Sequence, residues 1–345
     1  MRTLLALVGA VAAVSAPAAP SDRSVLAPAA VTELAADGER GARIAFRTRA
    51  PGSRCEHVRV WSLTQRSVVR LERGAPCGPA TSTGSGLFGL SFGRTAAAWA
   101  TYTGGNIREY SLWLVTSRGR RDDLVPRPRR VASIRRDVDA PSPLVVGSGD
   151  GSLSYAVDAA VYVLTAEDRR LVGRVTSPAV ALDFAYPYFA ATQADGSVTV
   201  LLEGDARPAL QLTYEPGTVR AVKLHGSTVV VLRRGALEVH AVHGSLRATW
   251  TLPAARSYGD GACGVPFCPR AELRLEDVHG NLAVYVLRNE VHLLRLTDGR
   301  DVVIRRPVGG PVEAQLEATG LSLSAGRRVA FVPLAEVQRA LVKAE

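Results

Sequence analysis

Short apolar runs separated by tight polar turns recur throughout this chain, and the repeat limits the folds open to it. In the clearest unit, strand-like segments run from 272 to 305, with His279-Gly280 and Asp298-Gly299 at two of the turns. A second unit, 219 to 252, has the same plan and places His225-Gly226 at its first turn. Alternating apolar residues bounded by such turns are typical of antiparallel hairpins. Each unit therefore predicts a four-stranded meander.

Seven such units follow one another from residue 31 onward. Their approximate bounds are 31–75, 86–137, 142–176, 178–214, 217–252, 272–307 and 311–333. A meander of about 35 to 50 residues cannot bury both of its faces alone, whereas stacking in a ring covers those faces and the sheet edges. We therefore predict an all-β fold, a seven-bladed β-propeller of four-stranded antiparallel blades.

The two ends of the predicted ring have their own signals. The last unit shows only three strands, so we expect residues 24–28 to supply its fourth strand and close the ring. After that unit, Leu334, Val337 and Leu341 recur at helical spacing. This spacing predicts a short C-terminal helix packed outside the last blade.

The repeat plan resembles the seven-bladed propellers of bacterial exported proteins, in the broad TolB-like and WD40-like class, over essentially the whole chain after residue 18. The similarity is one of architecture. The Trp-Asp ending of WD40 repeats is absent, as is the Ser-Pro-Asp-Gly box of TolB-type blades, and only generic turns such as Asp195-Gly196 remain. The resemblance therefore implies a fold and assigns no functional residue.

The N-terminal segment has the layout of a secretory signal peptide. Arg2 precedes the 13 mainly apolar residues Leu4–Ala16, and Ala16-Pro17-Ala18 supplies the small residues of a cleavage site. This block is short for a membrane span, which needs about 20 apolar residues. We predict a signal peptide 1–18, a mature single domain 19–345, and a secreted or extracytoplasmic location. The alternative is an uncleaved lipid-facing anchor.

The four cysteines form two local pairs, Cys55 with Cys77 and Cys263 with Cys268. In an oxidising compartment we predict both pairs as disulfides. The first would clamp a hairpin and contribute about 3 kcal/mol through the unfolded chain, and the second would close a Gly- and Pro-rich loop. Zinc is the alternative, although neither pair has the Cys-x2-Cys spacing of a zinc knuckle and the pairs lie far apart in the chain.

The formal charge of +10 comes almost entirely from arginine, because only Lys223 and Lys343 are lysine among 42 basic residues. One segment concentrates this charge; its arginines are Arg118, Arg120, Arg121, Arg127, Arg129, Arg130, Arg135 and Arg136. Aspartates in the same segment reduce its net positive charge, and no aromatic residues lie between the arginines to stack on nucleic-acid bases. We interpret the segment as a solvated loop, with an anion-binding patch as the alternative, and predict no specific nucleic-acid partner.

The sequence contains no motif typical of catalysis or metal binding. The Gly-x-Ser-x-Gly, His-Glu-x-x-His and Walker patterns are absent. His240 and His243 are three apart, so a strand would point them to opposite faces. His225 and His279 occupy equivalent turns and are interpreted as features of the repeat. We therefore predict no catalytic residue, no cofactor and no metal site.

Aromatic residues suggest where a partner binds and what separates the blades. Tyr102 and Asn106 bound one turn, and Tyr186 and Tyr188 flank a proline at another. We predict these four residues as an exposed recognition rim. The four tryptophans each lie in a predicted strand and are expected to fill the space between blades; they are Trp61, Trp99, Trp113 and Trp250.

The predicted function is a non-enzymatic binding or scaffold module for a protein or glycan of the cell envelope or the extracellular space, acting as a monomer. The alternative is a lactonase-like or glycosidase-like propeller hydrolase or lyase. Its acidic residues would line the central channel, for which Asp183, Glu276 and Asp277 are candidates, although turn capping or solvation is the favoured interpretation of these three. A purely structural envelope component is a third possibility.

Overall fold

The computed structural model describes thirteen segments of the chain. They are residues 23–36, 43–50, 55–63, 66–71, 85–93, 96–116, 127–137, 139–140, 142–149, 152–165, 168–252, 273–307 and 311–343. Within them, 28 strands form seven four-stranded sheets, and one helix follows the last strand. All strand pairs in these sheets are antiparallel, so the predicted all-β architecture is confirmed.

Each of the first four sheets, or blades, is a meander of consecutive strands. Blade 1 consists of β2 (Ala30–Ala36), β3 (Arg43–Arg49), β4 (Glu56–Ser62) and β5 (Ser67–Arg70). Blade 2 consists of β6 (Ser85–Phe92), β7 (Ala96–Gly104), β8 (Ile107–Thr116) and β9 (Arg129–Asp137). Blade 3 consists of β10 (Leu144–Gly149), β11 (Ser152–Val157), β12 (Ala160–Leu164) and β13 (Arg169–Arg174). Blade 4 consists of β14 (Ala179–Ala185), β15 (Tyr188–Gln193), β16 (Val198–Leu202) and β17 (Pro208–Leu212).

The remaining blades follow the same plan, except that the last one draws a strand from the N-terminal side. Blade 5 consists of β18 (Ala221–His225), β19 (Thr228–Arg233), β20 (Ala236–Ala241) and β21 (Leu246–Thr251). Blade 6 consists of β22 (Leu273–His279), β23 (Leu282–Leu287), β24 (Glu290–Arg295) and β25 (Asp301–Arg305). Blade 7 consists of β26 (Val312–Glu317), β27 (Gly320–Ala325), β28 (Arg328–Pro333) and β1 (Arg23–Leu26), and helix α1 (Leu334–Lys343) follows β28.

The ring is closed by pairing between the two ends of the described chain. β1 runs antiparallel to β28, with Arg23 opposite Phe331 and Leu26 opposite Arg328. The fourth strand of blade 7 therefore comes from the segment in which the sequence analysis places it. Without β1, β28 would be an unpaired sheet edge.

The first strand of each meander lies innermost, around the axis of the ring. β10 packs against β14, β14 against β18, and β18 against β22, and the same contact recurs between β26 and β2. The turns after the first and third strands of every blade therefore lie on one face, which we call the upper face. The turns after the second strands and the connections between blades lie on the opposite, lower face.

Apolar side chains fill the seven spaces between neighbouring blades. Among the described residues, each of seven buried clusters is shared by two adjacent blades, including the closure from blade 7 to blade 1. Trp61 and Trp99 are 4% and 2% exposed within two of these clusters. Trp113 and Trp250 pack against the clusters of their own blades. The tryptophans thus separate blades as predicted.

The C-terminal helix covers the outside of the space between blades 6 and 7. Val337 and Leu341 are 1% and 7% exposed and belong to the cluster that these two blades share. Val342, on the other side of the helix, is 61% exposed. The helical spacing of the apolar residues therefore predicted both the helix and its buried face.

Candidate functional site

Polar side chains on the innermost strands bond each blade to the next. Asp183 Oδ2 of blade 4 accepts a hydrogen bond from the Leu224 backbone N–H of blade 5 at 2.7 Å. Asp277 Oδ2 of blade 6 accepts one from Leu316 N–H of blade 7 at 2.9 Å. These two carboxylates thus satisfy inner-strand amides that their own sheets leave unpaired.

Three further junctions use the same principle with other side chains. Gln315 Oε1 of blade 7 accepts a hydrogen bond from Ala36 N–H of blade 1 at 2.7 Å. Glu33 Oε1 of blade 1 accepts one from Leu90 N–H of blade 2 at 2.6 Å. Ser91 Oγ then donates to the Gly147 carbonyl of blade 3 at 2.8 Å. Inter-blade polar bonds therefore run around much of the ring.

Lys223 of blade 5 places a positive charge on this inner wall. Its Nζ lies 3.5 Å from Asp183 Oδ1, and 25% of the Lys223 side chain is exposed. Burial opposes the ammonium form, but Asp183, Asp277 and Glu276 together raise the pKa of Lys223. Lys223 therefore stays charged and balances carboxylates from blades 4 and 6.

Asp277 is a carboxyl of this cluster whose pKa is raised. Burial raises the pKa of Asp277 to about 7, against the opposing effects of Lys223 and of the Val278 and Leu316 amides. Its Oδ1 accepts a hydrogen bond from Val278 N–H at 2.8 Å, and its Oδ2 from Leu316 N–H. Both oxygens of Asp277 thus accept backbone hydrogen bonds, one of them from blade 7, so this carboxyl joins blade 6 to blade 7.

The three acidic candidates of the sequence analysis thus lie on inner strands, as a channel lining requires. The favoured interpretation, that they cap turns or stay solvated, is wrong for Asp183, which is 4% exposed and bonded to the next blade. Glu276 pairs with Arg274, at 2.6 Å between Oε1 and Nε, within its own blade. Their shared role is to bond and balance the inner wall.

Two histidines meet where the channel opens on the upper face. His225 and His279 occupy the last positions of β18 and β22, and their ring centroids are 4.3 Å apart with an interplanar angle of 59°. Burial, and secondly the neighbouring His225, lowers the pKa of His279 to about 4. The sequence analysis recognised the shared position of the two residues but not that adjacent blades bring the rings into contact.

A second group of aromatic residues lies on the upper face, next to these histidines along the ring. Tyr186 is 63% exposed in the turn after β14. Tyr188 begins β15, and its ring centroid lies 6.4 Å from that of His243, which is exposed in the turn after β20. The predicted rim residues Tyr186 and Tyr188 therefore stand on a surface that blades 4 and 5 share.

The other two predicted rim residues lie on the lower side, and one of them is not on the surface. Tyr102 is only 3% exposed, because its ring packs with Phe88 and Tyr110. Gly86 makes room for it, since a Cβ there would come within 2.7 Å of the Tyr102 ring. Tyr102 thus serves the core of blade 2, whereas Asn106 is exposed in the next turn.

The close pair His240 and His243 is split between interior and surface. His240 is 5% exposed, and its Nε2 lies 3.2 Å from Glu238 Oε2. Tyr214 donates to the same Glu238 oxygen at 2.8 Å, and Arg233 donates to Oε1 at 2.6 Å. His240 thus belongs to a buried network around Glu238, and His243 belongs to the upper face.

Blade 6 contains a buried polar network comparable to the one around Glu238, and no sequence motif predicted it. The Tyr285 hydroxyl donates to Asp301 at 2.5 Å and lies 3.0 Å from His292 Nδ1. Tyr285 is fully buried and His292 is 5% exposed. Because the three residues come from three neighbouring strands, this Tyr–His–Asp group cross-links the blade.

Part of the basic segment is described, and two of its arginines form ion pairs with carboxylates. Arg127 lies just before β9 and is exposed, while Arg129, Arg130, Arg135 and Arg136 lie on β9, the outermost strand of blade 2. Arg130 pairs with Glu109 at 3.0 Å and Arg136 with Asp158 at 2.5 Å. These pairs favour the solvated interpretation over an anion-binding patch. The other arginines, Arg118, Arg120 and Arg121, lie outside the described residues.

The cysteine predictions fall mostly outside the described part of the chain. Cys55 directly precedes β4, while Cys77, Cys263 and Cys268 are not described. The two disulfides therefore remain predictions. The same holds for the signal peptide, because residues 1–22 are not described.

The described residues contain neither a three-ligand metal cluster nor a membrane-spanning helix. No group of three or more His, Cys, Asp or Glu side chains in these segments is arranged to hold a metal ion. The one helix found there is too short to cross a membrane.

Comparison of the sequence with family models and with curated proteins finds no match. The fold itself has many counterparts among solved structures. The WD40 β-propeller domain of Doa1 superposes with a TM-score of 0.56 at 10% identity, covering 90% of this chain and 95% of that one. The RRP9 WD40 repeats give 0.56 at 12% identity, covering 90% and 97%.

A chain of the mitotic checkpoint complex also gives a TM-score of 0.56 at 12% identity, covering 96% of this chain and 98% of that chain. Identities this low establish the propeller architecture alone. The seven-bladed fold therefore has WD40 propellers as structural neighbours, while function has to be inferred from the site.

Proposed function

We propose that this protein is a non-enzymatic binding or scaffold module, and that its upper face around blades 4 and 5 contacts a protein or glycan partner. The observation behind the proposal is that the inner-wall carboxylates are used in bonds between blades, whereas aromatic side chains of the upper face are exposed. Asp183 and Asp277 of the inner wall are bonded to neighbouring blades. Tyr186, in contrast, exposes 63% of its surface in a turn of the upper face.

The chemistry of the upper face suits recognition. Tyrosine combines a large apolar ring with a polar hydroxyl, which is why it is enriched at the centres of interfaces. Tyr188 and His243 extend the surface next to Tyr186 and offer both stacking and hydrogen bonding. The architecture supports this use, because propellers position such turns on a scaffold that changes little on binding.

We also propose that the module acts outside the cytoplasm, in the cell envelope or the extracellular space. The support is the apolar block Leu4–Ala16 with its small-residue cleavage site, together with four cysteines in two local pairs.

The binding role is tested by affinity capture of envelope and extracellular material on the purified mature protein. The upper-face variant Tyr186→Ala/His243→Ala is compared with the lower-face control Asn106→Ala/Ile107→Ala, whose residues are also exposed. Truncating a central interface tyrosine costs about 2 kcal/mol or more, or about 30-fold in affinity. We expect that loss for the upper-face variant only.

Equal binding by both variants would overturn the assignment of the face. Turnover of lactones or glycosides by the purified protein, abolished by Asp277→Asn without loss of folding, would instead favour the hydrolase or lyase.

A further inference from the structure

We propose that His225 and His279 form a binding site for one divalent transition-metal ion, such as Zn²⁺, Ni²⁺ or Cu²⁺, where the channel opens on the upper face. This site is separate from the proposed partner surface and does not depend on it.

The first support is the approach of the two rings. They come from different blades, β18 and β22, and their centroids are 4.3 Å apart. The 59° angle between the planes means that the rings are not stacked face to face. Rings this close bind one ion when a nitrogen of each turns toward it, at bond lengths of about 2.0–2.1 Å, the usual range for zinc and imidazole.

The second support is that the rings have no other polar role. Among the described residues, neither imidazole has a hydrogen-bond partner. Both side chains are half-buried, and none of their nitrogens is among the fully buried unpaired atoms of the described residues, so an ion can reach them. By contrast, one ring nitrogen of each of the buried His240 and His292 has a carboxylate partner.

The third support is that an ion could enter and keep solvent ligands. Gly226 and Gly280 follow the two histidines with φ of 52° and 61°, and nothing lies within 4 Å of the position of a Cβ on either. Since no third protein ligand is in place among the described residues, water would complete the coordination. Imidazole donors of this kind suit Zn²⁺, Ni²⁺ and Cu²⁺ rather than Mg²⁺ or Ca²⁺.

The recurrence of His-Gly in two repeats gives the site its geometry. Each histidine lies two residues beyond an inner-wall charge, Lys223 in blade 5 and Asp277 in blade 6. Both histidines end the inner strand of their blade, and the packing of β18 against β22 brings the two rings together. The ring of blades therefore fixes the two ligands against each other without any local sequence motif.

The test is calorimetric titration of the full chain, free of any His tag and stripped with chelator, with Zn²⁺. We expect one ion per chain. Loss of an outer-shell partner of a ligand alone costs about 10–100-fold in affinity, so His225→Ala and His279→Ala should each weaken binding at least about 10-fold. The control His243→Ala removes an exposed histidine outside the pair and should bind Zn²⁺ with the affinity of the wild type.

Electron paramagnetic resonance of the Cu²⁺ form checks the ligands. The wild type should show two nitrogen ligands, and each single variant should show fewer. If an alanine variant does not fold, the larger His225→Gln/His279→Gln variant replaces it. Wild-type protein without a stoichiometric site, or unchanged binding in the double variant, would overturn the proposal.

Discussion

At the scale of single residues, Lys223 illustrates how one side chain comes to depend on three blades. It lies on the inner strand of blade 5, paired with Asp183 of blade 4 and close enough to Asp277 of blade 6 to interact with its charge. Because these carboxylates raise its pKa, the ammonium stays protonated at this position. Removing it would leave carboxylates facing one another across the inner wall.

We therefore expect Lys223→Met to destabilise the ring. Removing one partner of a fully buried ion pair costs about 3–5 kcal/mol. Since 25% of the Lys223 side chain is exposed, we expect a smaller loss in the free energy of unfolding, about 2 kcal/mol. Urea unfolding measures it, with Lys223→Arg as the charge-preserving control. A Lys223→Met protein as stable as the wild type would contradict the assignment.

Glu238 leads to a prediction about pH. Burial opposes its ionisation, but hydrogen bonds from Arg233, Tyr214 and His240 lower its pKa below the ordinary value of 4.5. A carboxyl whose folded pKa is depressed contributes stability above the unfolded pKa and loses it as the pH falls through the folded pKa. The wild type should therefore exceed Glu238→Gln in stability at pH 7, and the difference should shrink below pH about 4.5.

Unfolding free energies of the two proteins at a series of pH values test this. Glu203→Gln is the control for a carboxylate outside the network. A difference that stays constant down to acidic pH would mean that packing, and not charge, explains the effect of Glu238.

At the scale of elements, turn chemistry and alternation of apolar residues located the strands, because both are local properties of the chain. The inner strands depart from simple alternation, because several of them contain a bulge. Their register shifts between Val31 and Glu33 in β2, between Phe88 and Ser91 in β6, and between Leu275 and Asp277 in β22. A bulge reverses which face the following side chains take. Alternation alone therefore could not assign Glu33 or Asp277 to the next blade.

Helix α1 offers a test with adjacent residues as variant and control. Leu341 is 7% exposed against the space between blades 6 and 7, while Val342 is 61% exposed. Burial of leucine makes Leu341→Ala cost about 2–5 kcal/mol. Val342→Ala should change stability by less than about 0.5 kcal/mol. Chemical denaturation of both variants measures this, and equal effects would mean that the helix does not pack on the ring.

At the scale of the whole molecule, stability depends on closing the ring. Each blade buries its faces only against two neighbours, so an open end would expose an apolar surface. The bond from Gln315 to Ala36 and the pairing of β1 with β28 both close the same junction. Predicted cleavage after Ala18 would leave β1, which begins at Arg23, on the mature chain.

We expect a chain that begins at Ala27, and so lacks β1, to melt below one that begins at Ala19. Each kcal/mol lost should lower the melting temperature by about 2–4 °C. The truncated chain should also aggregate more, because β28 becomes an edge. A chain beginning at Arg23 keeps β1 and is the control. Identical melting of all three would show that β1 does not stabilise the ring.

Export leads to a prediction about covalent structure. N-terminal sequencing of protein secreted by its host should find Ala19 as the first residue. Peptide mapping without reductant should find Cys55 linked to Cys77 and Cys263 linked to Cys268. Free thiols in all four positions, or an intact N terminus, would contradict the proposed extracytoplasmic location.

The sequence by itself determined the meanders, their number and the C-terminal helix, because strand alternation, tight turns and helical spacing depend on neighbouring residues. Only the tertiary structure decided which polar groups meet. Asp183 and Lys223 are 40 positions apart, and His225 and His279 are 54 apart, so their contacts arise from blade packing. It also placed Tyr102 inside the molecule and Tyr186 on its surface. The physical reason is that a side chain's surroundings in a ring are set by the next blade, on which the local pattern carries no information.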